Sequence, residues 1–167
     1  MNTSIEERFL AQLNQHLAIA HKISRVYQSD ADERADLVQE MIYQLWKAYP
    51  SFNGQAKFST WMYSVCLNTA LTYQRKAKRW QHQTLMPLHE QVPDAAPNDR
   101  EDISLRLFEA IADLAPLNKA VIILHLDGLS YEEIATVLGI SLSNVSVRLV
   151  RIRKELETRL KDKLKTQ

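Results

Sequence analysis

Residues 51–79 read SFNGQAKFSTWMYSVCLNTALTYQRKAKR. Pro50-Ser51 with Asn53-Gly54 opens the stretch as a turn signal. From Lys57 onward neither Gly nor Pro interrupts the run, which predicts one helix of about 23 residues, roughly 35 Å long. Phe58, Trp61, Met62, Val65 and Thr69 recur at helical spacing and predict a core-facing stripe. A second stripe, Thr60, Ser64, Asn68, Thr72 and Lys76, repeats at i+4, and Arg75, Lys78 and Arg79 crowd its end. Mid-helix Asn and Thr are mediocre helix formers, and a solvated face more usually carries Glu–Lys pairs. Hydroxyls and an amide leading into cations suit the base edges and phosphates of nucleic acid. A solvent face whose cations complement the helix macrodipole accounts for the same pattern, so periodicity alone leaves both open.

Working back toward the N-terminus, residues 3–28 read as a helix. Ser4 is placed as N-cap, Glu6 and Glu7 lie in the first turn, and Phe9, Leu13, Leu17, Ala20 and Ile23 mark the apolar face. A polar break at 29–32 precedes a second helix over about residues 32–48. Leu37, Met41 and Leu45 face inward, with Val38 and Ile42 widening the stripe, while Asp36, Gln39, Glu40, Tyr43 and Lys47 lie elsewhere on its surface. Three helices with short breaks predict one small all-α domain over residues 1–80.

Working forward, the composition changes over 81–103. Pro87, Pro93 and Pro97 break any helix, and Glu90, Asp94, Asp99, Glu101 and Asp102 make the segment acidic. It reads as a flexible acidic linker. A second all-α domain of four helices follows over 104–167. Leu105, Phe108, Ile111 and Ala112 predict its first helix; Pro116 opens the second, which Asp127-Gly128 stops. Ser130 and Glu133 make a capping box for the third, expected to bury Ile134, Ala135 and Leu138. Gly139 ends it in a left-handed conformation, Ile140 is placed in the core, and Ser141 caps the last helix. That helix buries Val145, Leu149, Ile152, Leu156 and Leu160, and carries Arg148, Arg151, Arg153 and Lys154. Two helices joined by Gly139-Ile140-Ser141, the second basic, form a helix-turn-helix.

The whole chain has a net charge of only +1, so any contact with nucleic acid must come from local basic clusters or be assisted by a partner. Its single cysteine, Cys66, excludes an intrachain disulfide and a cysteine-based zinc site, and reads as a small buried hydrophobe. No His–carboxylate spacing points to a metal, no phosphate loop to a cofactor, and no nucleophile–base pair to catalysis. No apolar run approaches the length of a membrane span, and residues 1–7 do not read as a signal peptide, so a cytoplasmic, non-enzymatic protein is expected.

At this point the residues carry a family resemblance. Asp36-Leu37-Val38-Gln39-Glu40, Phe52, the run Lys57–Tyr63 and Leu67-Asn68-Thr69-Ala70 resemble region 2 of bacterial RNA polymerase sigma factors, of the extracytoplasmic-function (ECF) class. Residues 128–135, 138–141 and 148–153 resemble region 4. The resemblance implies a dissociable initiation subunit. Asp36, Gln39 and Glu40 would bind the clamp helices of the largest subunit of core RNA polymerase. Phe52, Lys57, Thr60, Trp61, Ser64, Asn68, Arg75, Lys76 and Arg79 would engage the −10 element of promoter DNA, with Phe52 and Asn68 at the pocket for an extruded base. Ser143, Asn144, Ser146, Val147, Arg148, Arg151 and Arg153 would face the −35 element, while region 4 touches the flap of the second-largest subunit. The linker would thread towards the RNA exit path. Many members are held inactive by an anti-sigma protein, so such a partner is compatible with the resemblance.

One departure stands out. Members often begin the recognition helix with a small residue, Thr, Val and a cation, whereas Ser143-Asn144-Val145-Ser146-Val147 supplies no early cation. Of the arginines, Arg148 and Arg151 make the better pair for a groove, and exposed Val147 and Val150 would suit thymine methyl groups. The rival is an ordinary helix-turn-helix regulator whose first domain dimerises or senses. It predicts binding to a palindromic site without polymerase.

Overall fold

In a computed structural model of the chain, residues 4–83 and 99–165 are described, with side chains over 4–79 and 103–165. All regular structure among them is helical, and the chain divides into two compact units.

In the first unit, α1 spans Ile5–Tyr27. Ser4 Oγ accepts the Glu7 backbone N–H at 3.1 Å, and the Glu7 carboxylate accepts the Ser4 N–H at 3.0 Å. This reciprocal capping box satisfies two of the amides left unpaired at a helix start. Asp30 caps α2 (Ala31–Ala48) by accepting the N–H groups of Asp32 and Glu33 at 2.9 and 3.0 Å. Pro50 then sits in a 3-10 turn, Tyr49–Ser51. The loop beyond it bends at Gly54, whose φ of 73° is left-handed, and Asn53 Oδ1 accepts the Gln55 N–H at 3.1 Å.

Helix α3 covers Phe58–Gln83, 26 residues, a few more than expected, because no breaker stands before Pro87. Phe9, Leu13, Ile23, Leu37, Met41, Leu45, Met62 and Leu67 pack the interior with Cys66 among them. The inward arc of α3 differs from the expected stripe. It centres on Cys66 and takes in Phe58, Met62, Tyr63, Leu67 and Ala70, whereas Trp61 and Val65 are half-buried at its edge. The reason is that α1 and α2 both pack on α3 and set the arc jointly. Thr69 is buried as expected, its hydroxyl donating to the Val65 carbonyl at 2.7 Å. On α1, Leu17 is only half-buried, while Ile19, Val26 and Tyr27 are buried.

The second unit holds α4 (Asp99–Ala112), α5 (Pro116–Leu126), α6 (Tyr131–Leu138) and α7 (Leu142–Lys165). Both ends of the segment read as a linker, 81–103, are therefore helical; its middle, 84–98, lies outside the described residues. Ile111 is buried as expected, whereas Leu105, expected on the same apolar face of α4, is 42% exposed and Ala110 is buried in addition. Ser130 and Glu133 form the expected capping box at 3.1 and 2.7 Å, and Gly139 closes α6 at φ 65°. Ser141 Oγ accepts the Asn144 N–H at 3.1 Å, and α6 meets α7 at 105°. Val145, Leu149, Ile152 and Leu156 are buried and Leu160 is half-buried. In α6 only Ile134 is fully buried; Ala135, Leu138 and the turn residue Ile140 are half-buried, against expectation. An eight-residue helix packed against α5 and α7 has two turns and room for one deep anchor. No single described helix is long and apolar enough to cross a membrane.

Candidate nucleic-acid interfaces

The polar stripe of α3 faces outward. Thr60 and Ser64 are half-exposed; Asn68, Thr72, Lys76, Arg75, Lys78 and Arg79 are exposed, as is Lys57 in the preceding loop. Asn68 makes no hydrogen bond among the described residues, so its amide keeps a donor and an acceptor for a ligand. Trp61, Ser64 and Asn68 lie on one side of α3, the first and last separated by about 10 Å along the axis.

At the N-terminal end of that line stands a cluster of rings. Phe52 and Trp61 have centroids 5.0 Å apart, and Phe58 lies 5.7 Å from Phe52 and 5.4 Å from Trp61. Tyr49 contacts Phe52, Phe58 and Trp61 at 6.2, 6.3 and 6.2 Å, and Phe9 closes the inner side at 5.1 Å from Tyr49. Phe52 and Trp61 remain half-exposed, and Phe58 is buried. An aromatic surface held by other rings, a free amide one to two turns away and a cluster of cations at the far end can stack a base, read its edge and hold phosphate.

The outer face of α2 has the opposite sign. Asp36 and Gln39 are exposed, and Glu40 is half-buried, accepting from Gln44 Nε2 at 2.9 Å. Burial pushes the Tyr73 phenol on α3 above its ordinary pKa, and the carboxylates of Asp36, Glu33 and Glu40 push it further. The three carboxylates thus act on one point, a negative edge where α2 meets α3. Tyr43 and Trp46 are exposed at 56% and 40% on the same helix; sequence reading placed Tyr43 on the surface and did not single out Trp46.

In the helix-turn-helix, Ser143, Ser146, Val147, Val150, Arg151 and Lys154 are exposed along the side of α7 opposite its buried stripe. Arg151 makes no hydrogen bond or ion pair among the described residues. The other arginines differ. Arg148 is half-buried: its Nε donates to Asn144 Oδ1 at 2.7 Å and its Nη1 to Asn118 Oδ1 at 2.8 Å. Arg148 thus links the recognition helix to α5, and Asn144 on the same helix braces its guanidinium. Arg153 lies on the opposite flank, its Nη2 3.2 Å from His125 Nε2. Lys154 was missed as a candidate, although stepping at helical period from Ser143 through Val147 and Val150 leads to it.

The family model for Sigma-70 region 2 matches residues 13–80, and that for Sigma-70, region 4 matches residues 104–156. The ECF RNA polymerase sigma factor SigG of Mycobacterium tuberculosis is 30% identical over 155 residues, covering 74% of this chain and 40% of SigG. The ECF RNA polymerase sigma-E factor of Haemophilus influenzae is 28% identical over 138 residues, covering 75% of this chain and 73% of its own. Among solved structures, the sigma factor RpoE of Bartonella quintana, crystallised with the anti-sigma factor NepR, aligns with a TM-score of 0.77 at 24% identity over 93% of this chain and 98% of RpoE. CnrH, solved with the cytosolic domain of CnrY, aligns with a TM-score of 0.67 at 21% identity over 94% of this chain and 90% of CnrH. At those identities the solved structures speak for the fold, and the two family models speak for descent: the chain belongs to the RNA polymerase sigma factors, in the ECF class.

Proposed function

We propose that this chain binds core RNA polymerase and directs it to promoters of two separate elements. In this reading the negative edge around Asp36, Gln39 and Glu40 meets the clamp helices of the largest subunit. The α3 surface from Phe52 to Arg79 opens the −10 element, and the outer face of α7, centred on Val147, Val150 and Arg151, reads the −35 element. Residues 1–80 and 104–167 are the working domains, and the acidic stretch between them tethers the two. The observation that carries the reading is the presence, in one chain of near-neutral charge, of a helix-turn-helix and a separate ring-and-amide surface around Phe52, Trp61 and Asn68. A helix-turn-helix alone binds duplex; a half-exposed aromatic pair beside an unengaged amide suits an unpaired base.

Work on polymerase places the protein in the cytoplasm. Both solved neighbours are complexes with a second protein, NepR in one and the cytosolic domain of CnrY in the other, and an anti-sigma partner belongs to the proposal. Transcription in vitro with purified core polymerase on genomic fragments tests it. The expected outcome is initiation from asymmetric sites only when the chain is added, with weak DNA binding by the chain alone. Tight binding to a palindrome without polymerase would instead support an independent regulator.

A further inference from the structure

We propose that Tyr49 is a positioning residue for promoter opening: tied to α1 through its hydroxyl, it sets the placement of Phe52 and Trp61. The proposal rests on the reading of Phe52, Trp61 and Asn68 as the opening site.

Phe52 is held by the rings of Tyr49, Phe58 and Trp61, and the loop beyond it adds little. Residues 53–57 are all exposed, and Gly54 gives the backbone a left-handed bend. On the N-terminal side Phe52 hangs from Tyr49 twice. The Phe52 N–H donates to the Tyr49 carbonyl at 3.0 Å, and the two rings lie nearly parallel, 23° apart with centroids at 6.2 Å. Trp61, on α3, meets the Tyr49 ring at 61°. The two half-exposed rings of the site, one from a loop and one from a helix, thus share Tyr49 in the 3-10 turn as well as the buried Phe58 of α3.

Tyr49 is itself anchored from a third element. Its hydroxyl donates to Gln12 Oε1 on α1 at 2.9 Å, and Phe9, one turn earlier on α1, packs on its ring at 5.1 Å. A phenylalanine at this position would fill the same space. What the hydroxyl adds is a directional bond that fixes the rotation and tilt of the ring against α1. The rings of Phe52 and Trp61 lean on it, so a small swing of Tyr49 changes their relative tilt. That tilt sets the aromatic surface on which a base can stack. The bond is partly buried and joins neither Phe52, Trp61 nor Asn68, so its loss changes the site without removing any of the groups proposed to touch DNA.

The test compares Tyr49→Phe, Gln12→Leu and the double variant with Phe52→Ala, each as full-length protein with core polymerase. Gln12→Leu removes the acceptor and leaves every ring in place. If the proposal holds, thymine reactivity to permanganate on duplex promoters falls about two- to ten-fold in either single variant, the range expected for one hydrogen bond. The double variant falls no further than the singles. Core binding stays unchanged, and a template with a pre-melted bubble recovers most of the loss. Wild-type opening by Tyr49→Phe and Gln12→Leu while Phe52→Ala is defective would overturn the positioning role and leave the site reading standing. Wild-type opening by Phe52→Ala would overturn the site reading and this proposal with it. Equal loss of core binding and opening would show that Tyr49 merely supports the fold.

Discussion

Arg148 on the recognition helix donates to Asn118 Oδ1 on α5 at 2.8 Å, so the first arginine of α7 is engaged inside its own domain. Arg151, three residues on, is exposed and without such a bond. Two residues of the same type on one helix therefore differ in their partners, and different effects of replacing them are predicted. For promoter binding, Arg151→Ala is expected to weaken the −35 contact by roughly 1–3 kcal/mol and relax preference at one position, or to weaken all sites alike if it meets phosphate. Arg148→Ala is expected to lower the stability of the second unit by about 1–2 kcal/mol, since it removes two hydrogen bonds from a charged donor. Footprinting against salt for the first and thermal unfolding for the second separate them. A larger footprinting defect in Arg148→Ala, with unchanged melting temperature, would reverse the assignment.

The acidic edge of α2 predicts a charge-dependent grip on polymerase. Asp36 is exposed, and Glu40 pairs only with the neutral Gln44 amide. Asp36→Lys with Glu40→Lys is expected to cut co-purification with core polymerase while changing stability by less than about 1 kcal/mol, as surface substitutions do. The same change should let the Tyr73 phenol ionise at lower pH, because two of the carboxylates that raise its pKa become cations. Tyrosinate absorbance in a pH titration reads this independently of polymerase. Retained co-purification would remove this face from the assignment.

Asn68 has no structural duty among its neighbours, so its replacement should be silent until DNA opens. Asn68→Ala is expected to keep fold and core binding and to lose open complex on duplex promoters. Extruding a base costs a few kcal/mol, and contacts to the extruded base help offset that cost. A template with a pre-melted bubble should recover part of the loss. Wild-type permanganate reactivity on duplex would show that the amide does not take part.

Cys66 makes the first unit sensitive to alkali. Burial pushes its thiol from an ordinary value of 9.0 up to about 12, so the folded state keeps the proton that the unfolded chain releases. Over that window the unfolded state binds fewer protons, and stability falls as pH rises, by up to roughly 1.4 kcal/mol per unit. Below the ordinary thiol pKa of 9.0 the effect fades away, because both states then hold the proton. Cys66→Ala should therefore flatten the decline in melting temperature above pH 9, and alkylation of wild-type Cys66 at neutral pH should proceed only as fast as the unit opens. Rapid alkylation of the folded protein would contradict this.

How much of this was legible from residue order follows from the range of the forces involved. Capping boxes, the turn at Gly139 and the alternation of Val145, Leu149, Ile152 and Leu156 are local. They depend on spacings of three or four residues, and the sequence alone placed them in the right helices. The helix-turn-helix and the family motifs were readable for the same reason. Tertiary packing decided the rest. Which arc of α3 is buried depends on where α1 and α2 lie, and that arc moved Trp61 from the expected core to the rim, where it can meet Phe52. Whether Arg148 faces a groove or a neighbour depended on Asn118, thirty residues away. Tyr49 carried no motif at all. Its place among the rings arises only when Gln12, Phe52 and Trp61, from three separate elements, come within hydrogen-bonding and stacking range, and such short-range forces leave no periodic mark in the chain.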